Sequence, residues 1–290
     1  MSVISFKTRN YAAAICFMAP SALGFSVFFF IPFITGSYYS LVDNPVSANF
    51  VGLGNYINLL QNPVFLKAAS NTLVFSGICV PLNVVFSLLL AVLLNRDILG
   101  KSLLRTAFIV PLAVPAASIV LVWQIMFDMR GSINGILQFA GASGQDWMKT
   151  GRARTVVIIV YLWKNCGYNM VIFLAGLQNI PREYYEAADM DGAGVWTKFT
   201  GITVPYLTPA AFFVFIMSII NSFKVFRETY LIAGPYPQDG IYMLQHYMNN
   251  IFLSLDYQKL TAAAFLTALL ILLVILLLFT VERKISGSLN

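Results

Sequence analysis

The sequence predicts an all-α integral membrane protein of six transmembrane helices with a cytoplasmic loop made of two short helices. Three observations predict it. Of the 290 residues, 59% are hydrophobic and 10% are charged, whereas soluble domains carry about 25% charged residues. Six apolar stretches each approach the roughly 20 residues that cross about 30 Å of hydrocarbon at about 1.5 Å per residue. None alternates with period two, which excludes a transmembrane β-barrel.

The stretches run approximately over 11–34, 73–94, 106–127, 155–177, 208–231 and 260–281, and the chain reads as a single transmembrane domain, 1–290. Hydrophilic segments between them are too short to bury a core of their own. The first stretch follows Lys7 and Arg9 but is longer than a signal-peptide core and lacks an A-x-A site, so it is read as a retained span. Pro20, Pro81, Pro111 and Pro115 fall inside spans, where kinks are tolerated if neighbours satisfy the freed carbonyls. After the first span, "VGLGNYINLLQNPVFLKAASNTLVF" places Tyr56, Leu59, Leu60 and Phe65 near helical spacing, which suits a helix lying along a membrane surface.

Basic residues set the orientation. With a cytoplasmic N-terminus, inside segments hold Lys7, Arg9, Arg96, Lys101, Arg105, Arg182, Lys198, Arg283 and Lys284. Outside loops, longer in total, hold Lys67, Arg130, Lys149, Arg152, Arg154 and Lys259. Both termini are therefore expected in the cytoplasm, and so is the passage between the fourth and fifth spans. The formal charge of +6 comes from residues scattered in ones and twos, not from a basic patch, which argues against nucleic acid.

Enzymatic and metal chemistry find little support. Cys16, Cys79 and Cys166 lie in apolar runs without CxxC spacing, and His246 is the only histidine, so neither a disulfide framework nor a zinc site is expected. "NRDILGKS", 95–102, ends like a phosphate-binding loop, but Asn95 stands where glycine is needed and an apolar helix precedes it instead of a strand. Arg96, Lys101 and Arg105 are better read as a topology anchor.

Polar residues inside spans are expensive and mark candidate pathways. The fourth span carries Tyr161, Lys164, Asn165, Tyr168 and Asn169; the fifth carries Asn221, Ser222 and Lys224. Lys164 lies ten residues beyond Arg154, about 15 Å along a helix, where an ammonium needs a partner or water. Asn221 and Ser222 suit interhelical hydrogen bonds equally well, and Arg227 and Glu228 suit snorkelling or pairing at the interface. Aromatic faces beside amides and hydroxyls fit a polyol.

The cytoplasmic passage "EYYEAADMDGAGVWTKFTGITVP" spans Glu183 to Pro205. Pro181 at a helix start and Glu183 at its positive end predict a helix over 181–190. Asp191-Gly192 ends it, and a second helix is expected over 195–201. Small residues Ala187, Ala188, Gly192 and Ala193 crowd the bend. On physical grounds alone this is either a docking knob or an ordinary loop.

The same passage resembles the EAA loop of permease subunits of ABC importers. Glu186-Ala187-Ala188, then Gly192 after three residues, then Ile202-x-Val204-Pro205 after nine more, fit that pattern. "VGLGNY" at 51–56, Asn71-Thr72, Arg105, Pro111, Pro115, Trp123 and "FLAGLQNIP" at 173–181 are similar to the branch that imports maltose, glycerol phosphate and oligosaccharides. The resemblance covers roughly 50–281. One departure is "LIAGPYP" after the fifth span, where the family often reads T-x-G-G-P, which leaves the cargo open.

The resemblance implies a multi-pass subunit of the bacterial cytoplasmic (inner) membrane that is not itself an enzyme and binds no cofactor. ATP and Mg would belong to a partner ABC ATPase dimer docked on Glu186, Ala187, Ala188, Asp191, Gly192 and Ala193. It further implies a second permease forming a heterodimer, an extracytoplasmic substrate-binding protein, and sugar contacts on the helices before and after the loop. Two alternatives stand beside it: an ABC permease for another polar solute, and a self-sufficient secondary carrier using Lys164.

Overall fold

The backbone of residues 3–287 is described by a computed structural model, and its regular structure is helical apart from one isolated bridge between Val42 and Phe50. In chain order the helices are α1 (Val3–Phe25), α2 (Ile31–Tyr39), α3 (Gly54–Gln61), α4 (Pro63–Asn95), α5 (Lys101–Ala113), α6 (Ala116–Met126) and α7 (Ser132–Phe139). They continue as α8 (Ala153–Gln178), α9 (Arg182–Met190), α10 (Val195–Lys198), α11 (Val204–Phe223), α12 (Phe226–Ala233), α13 (Leu244–Leu253) and α14 (Tyr257–Gly287). Among the described residues, five helical runs are long and apolar enough to cross a membrane, or six when the bent pair α5–α6 is counted as one. Of the residues that orient the chain, the side chains of Lys7, Arg9 and Lys284, and both termini, lie outside the described set.

The chain forms two compact units, one of residues 3–62 with 251–266, the other of 63–250 with 267–287. In the first, α1 passes through a π turn at Ser26–Phe30 into α2. The apolar window within Ala14–Tyr39 has no buried residue, as expected of a helix whose solvent is lipid. The segment between α2 and α3 is tied by Asn55, whose Nδ2 donates to Ser40 O and Val42 O at 3.0 and 2.8 Å. Asp43 accepts bonds from Asn49 and Ser47 side chains and from nearby amides, which hold its carboxyl below the usual carboxylate range.

In the second unit α8 is the central helix, with half of its apolar window buried against α4, α5 and α11. One cluster joins Val84, Leu94, Met170, Phe173, Leu177 and Leu207; another joins Phe75, Cys79, Val157, Tyr161, Val225 and Ile241. Gly167 explains how α5 reaches α8 so closely. A Cβ there would sit 1.8 Å from Phe108 O, and small residues are what allow helix backbones to approach in membranes.

Three elements differ from the sequence-based expectation, each for a local reason. The second apolar helix begins at Pro63, ten residues before the expected 73, because Ala68, Asn71 and Thr72 are buried rather than looped out. The stretch 106–127 is not one kinked helix but two, meeting at 103°. Val114 has ψ 134° and Pro115 ψ 136°, since a residue before proline is driven out of the helical region. The stretch 208–231 is interrupted at Lys224 and Val225. The Lys224 amide closes on Asn221 O at 3.1 Å, a tight turn that ends α11.

Candidate functional site

The interruption after α11 opens a cavity of about 490 Å3. Tyr161, Lys164 and Asn165 reach it from α8, spaced three and one apart and so on one helix face. Asn221, Lys224 and Val225 come from the end of α11 and the break. Phe226, Arg227 and Glu228 come from α12, and Gln245 from α13.

Hydrogen bonds fix these walls. Tyr161 donates from its hydroxyl to Ser218 O at 2.8 Å, and Asn169 Nδ2 donates to Ser218 Oγ at 2.9 Å, locking α8 to α11. Asn165 Nδ2 donates to Tyr161 O at 2.8 Å. Lys164 forms an ion pair with Glu228, with side chains 22% and 8% exposed. The pair answers the question Lys164 raises in the sequence: its partner is an acid 64 residues away on α12. Glu228, expected to snorkel or pair near the outer end of the span, is paired and buried.

Of the eight residues the sequence nominates for a pathway, the structure brings Tyr161, Lys164, Asn165, Asn221 and Lys224 together. Tyr168, Asn169 and Ser222 are not among the lining residues. Asn169 is spent on Ser218, and Ser222 Oγ donates to Ile219 O and bonds Ser76 Oγ at 2.7 Å. Gln245, Arg227 and Glu228 were not nominated. Glu228 was findable, as the acid nearest the fifth span and hence the natural counterion for Lys164. Gln245 carries no such signal.

Gln245 is positioned through the segment before α13. Asn71 Nδ2 donates to Asp239 O and Tyr242 O at 2.6 and 3.0 Å, and Arg154 Nε donates to Gly240 O at 2.9 Å. Thr72 Oγ1 accepts from the Leu244 amide at 3.0 Å. His246, beside it, is fully buried against the rings of Phe226 and Tyr242, and burial pushes its pKa down to about 4.

The loop between α8 and α11 carries the second candidate surface. Helix α9 ends in a Schellman motif: Ala193 N donates to Ala188 O at 2.8 Å and Gly192 N to Asp189 O at 3.1 Å, with Gly192 at φ +75°. Asp191 is the last cap residue. Lys198 pairs with Asp189, and the hydroxyls of Tyr185 and Thr203 meet at 2.8 Å. The second helix is only Val195–Lys198; a π turn at Phe199–Thr203 then runs straight into α11. The loop is therefore continuous in helical backbone with a cavity-lining helix. Glu186, Ala187, Asp191 and Gly192 are exposed and Ala188 and Ala193 half-buried. Met190, Val195 and Trp196 are 89%, 77% and 74% exposed, an apolar surface of the kind that marks a protein contact.

Comparison with known proteins identifies the class. The family model of the binding-protein-dependent transport system inner membrane component matches residues 83–287, and the chain belongs to that family. It is 34% identical over 285 residues to the arabinooligosaccharides transport system permease protein AraP of Bacillus subtilis (strain 168), covering 96% of this chain and 89% of that protein. It is 35% identical over 219 residues to the lactose transport system permease protein LacF of Rhizobium radiobacter, 74% of each chain. Its fold matches a chain in the crystal structure of a bacterial ABC transporter involved in the import of the acidic polysaccharide alginate, with TM-score 0.83 at 20% identity over 98% of this chain and 99% of that one.

Proposed function

We propose that this chain is the transmembrane permease subunit of an ATP-driven, binding-protein-dependent importer of a carbohydrate. One observation carries the mechanism: α8 and α11, the helices joined by the α9–α10 loop, both contribute polar side chains to the cavity, beside those of α12 and α13. A partner that pushes the loop moves both walls together. Carbohydrate as cargo is supported by the names of the permeases to which the chain is similar and by a cavity that sets Tyr161 and Phe226 beside amides.

In this reading an ABC ATPase dimer, which holds ATP and Mg, seats on Glu186, Ala187, Ala188, Asp191, Gly192 and Ala193. The chain itself is not an enzyme and binds no cofactor. A second permease completes a heterodimer in the bilayer, and an extracytoplasmic binding protein delivers the sugar. The protein is one permease domain of the bacterial inner membrane with both termini cytoplasmic. Tyr161, Lys164, Asn165, Asn221 and Lys224 line the pathway, while Asn169 and Ser222 hold helices together and Tyr168 flanks them.

Uptake of labelled oligosaccharides in the native host, with and without the chain and with Glu186→Lys, tests this. Chain-dependent uptake abolished by Glu186→Lys while the protein stays in the membrane supports it. ATP-independent uptake by the purified chain alone in vesicles overturns it.

A further inference from the structure

The cavity holds three basic side chains and one carboxylate, a net charge of +2. Glu228 neutralises Lys164. Lys224 and Arg227, both exposed, have no ion pair or side-chain hydrogen bond among the described residues. Arg96, Arg130 and Lys149 likewise show no such partner among the described residues, but none of them lines this cavity. Lys67 and Lys259 rest on acids, Arg154 on a carbonyl and Asn71, and Arg152 lies over the Trp147 ring.

Two unspent cations lining one cavity in a membrane helix pair are costly and therefore informative. Low-dielectric walls focus their field into the space they enclose. A neutral sugar can accept hydrogen bonds from them but leaves their charge uncompensated. A carboxylate or phosphate offers charge-assisted bonds to both, and the guanidinium fork suits two such oxygens at once. Asn221 and Gln245, alongside, match hydroxyls.

We propose that the cargo is an anionic carbohydrate, a sugar bearing carboxylate or phosphate groups, and that Arg227 and Lys224 recognise its charge. This rests on the carbohydrate-importer reading and narrows it. The test is uptake in the native host, with variants at the chromosomal locus and membrane abundance measured for each. Labelled galacturonic acid trimer, glucose 1-phosphate and maltotriose are the probes.

The expected result is chain-dependent uptake of the trimer or of the sugar phosphate, reduced roughly 10-fold or more by Arg227→Gln or Lys224→Gln and largely restored by Arg227→Lys. Whichever acidic probe enters identifies the anionic group. If Arg227→Gln fails to accumulate, Lys224→Gln carries the comparison alone. Chain-dependent uptake of maltotriose that neither variant alters overturns the anionic assignment and leaves the importer reading intact. ATP-independent uptake of all three probes by the purified chain alone in vesicles overturns both.

Discussion

The α9–α10 loop and the cavity are built by opposite means. The loop is contiguous: a helix, a glycine stop and a second helical turn within 24 residues, 182–205, each fastened by neighbours in sequence. The cavity gathers side chains from α8, α11, α12 and α13, up to 84 residues apart, around an interrupted helix. The loop is held by local geometry and presents its surface outward. The cavity is held by pairs that must find one another across the fold. Substitutions should therefore damage the cavity's architecture more readily than the loop's, while loop substitutions damage coupling and spare the fold.

The largest effect is expected at the buried ion pair. Glu228→Ala leaves Lys164 without its partner, which typically costs about 3–5 kcal/mol, and should sharply lower membrane abundance. The double variant Lys164→Leu with Glu228→Leu should recover abundance but not uptake. Equal abundance of Glu228→Ala and wild type would show that the ion pair does not hold the cavity together. Next is Gly167→Ala, whose methyl group would collide with Phe108 O. Overpacking of this kind costs about 1–3 kcal/mol, read as a lower melting temperature in detergent.

A pH effect of similar size follows from His246, on α13 and outside the candidate spans. Its folded pKa of about 4 lies below the ordinary 6.5, so the unfolded chain binds more protons in between. The stabilising contribution is full above about pH 7 and falls as the pH drops through 6.5 towards 4. Between pH 7 and pH 5 about 2 kcal/mol should be lost, and His246→Gln should flatten that slope. The smallest structural effect belongs to the loop. Gly192→Ala meets open space but a positive φ, costing about 1 kcal/mol, with the chain still fully inserted.

The same contrast explains what could be read from the sequence. The loop was legible because its rules are local: Glu183 at a helix start, Gly192 at its end, small residues between. Its second helix was misjudged in length only, because nothing in 199–203 marks a π turn feeding α11. The cavity was half legible. Lys164, Asn165 and Asn221 stood out as costly polar groups in apolar helices, yet apolar runs do not reveal that 208–231 breaks at Lys224. Asn169 and Ser222 looked identical to lining residues in sequence, and only their partners Ser218 and Ser76 separate them. Pro115 was visible, but whether a proline kinks or breaks a helix depends on the helices packed around it.

In the proposed mechanism the α9–α10 loop and the cavity move as one. This is tested most directly by the labelling rate of Asn221→Cys with a membrane-impermeant maleimide, in the assembled transporter with and without a non-hydrolysable ATP analogue. The expected rate changes with nucleotide, and the change disappears when Glu186→Lys is added. A rate indifferent to nucleotide in a complex that still transports would contradict it.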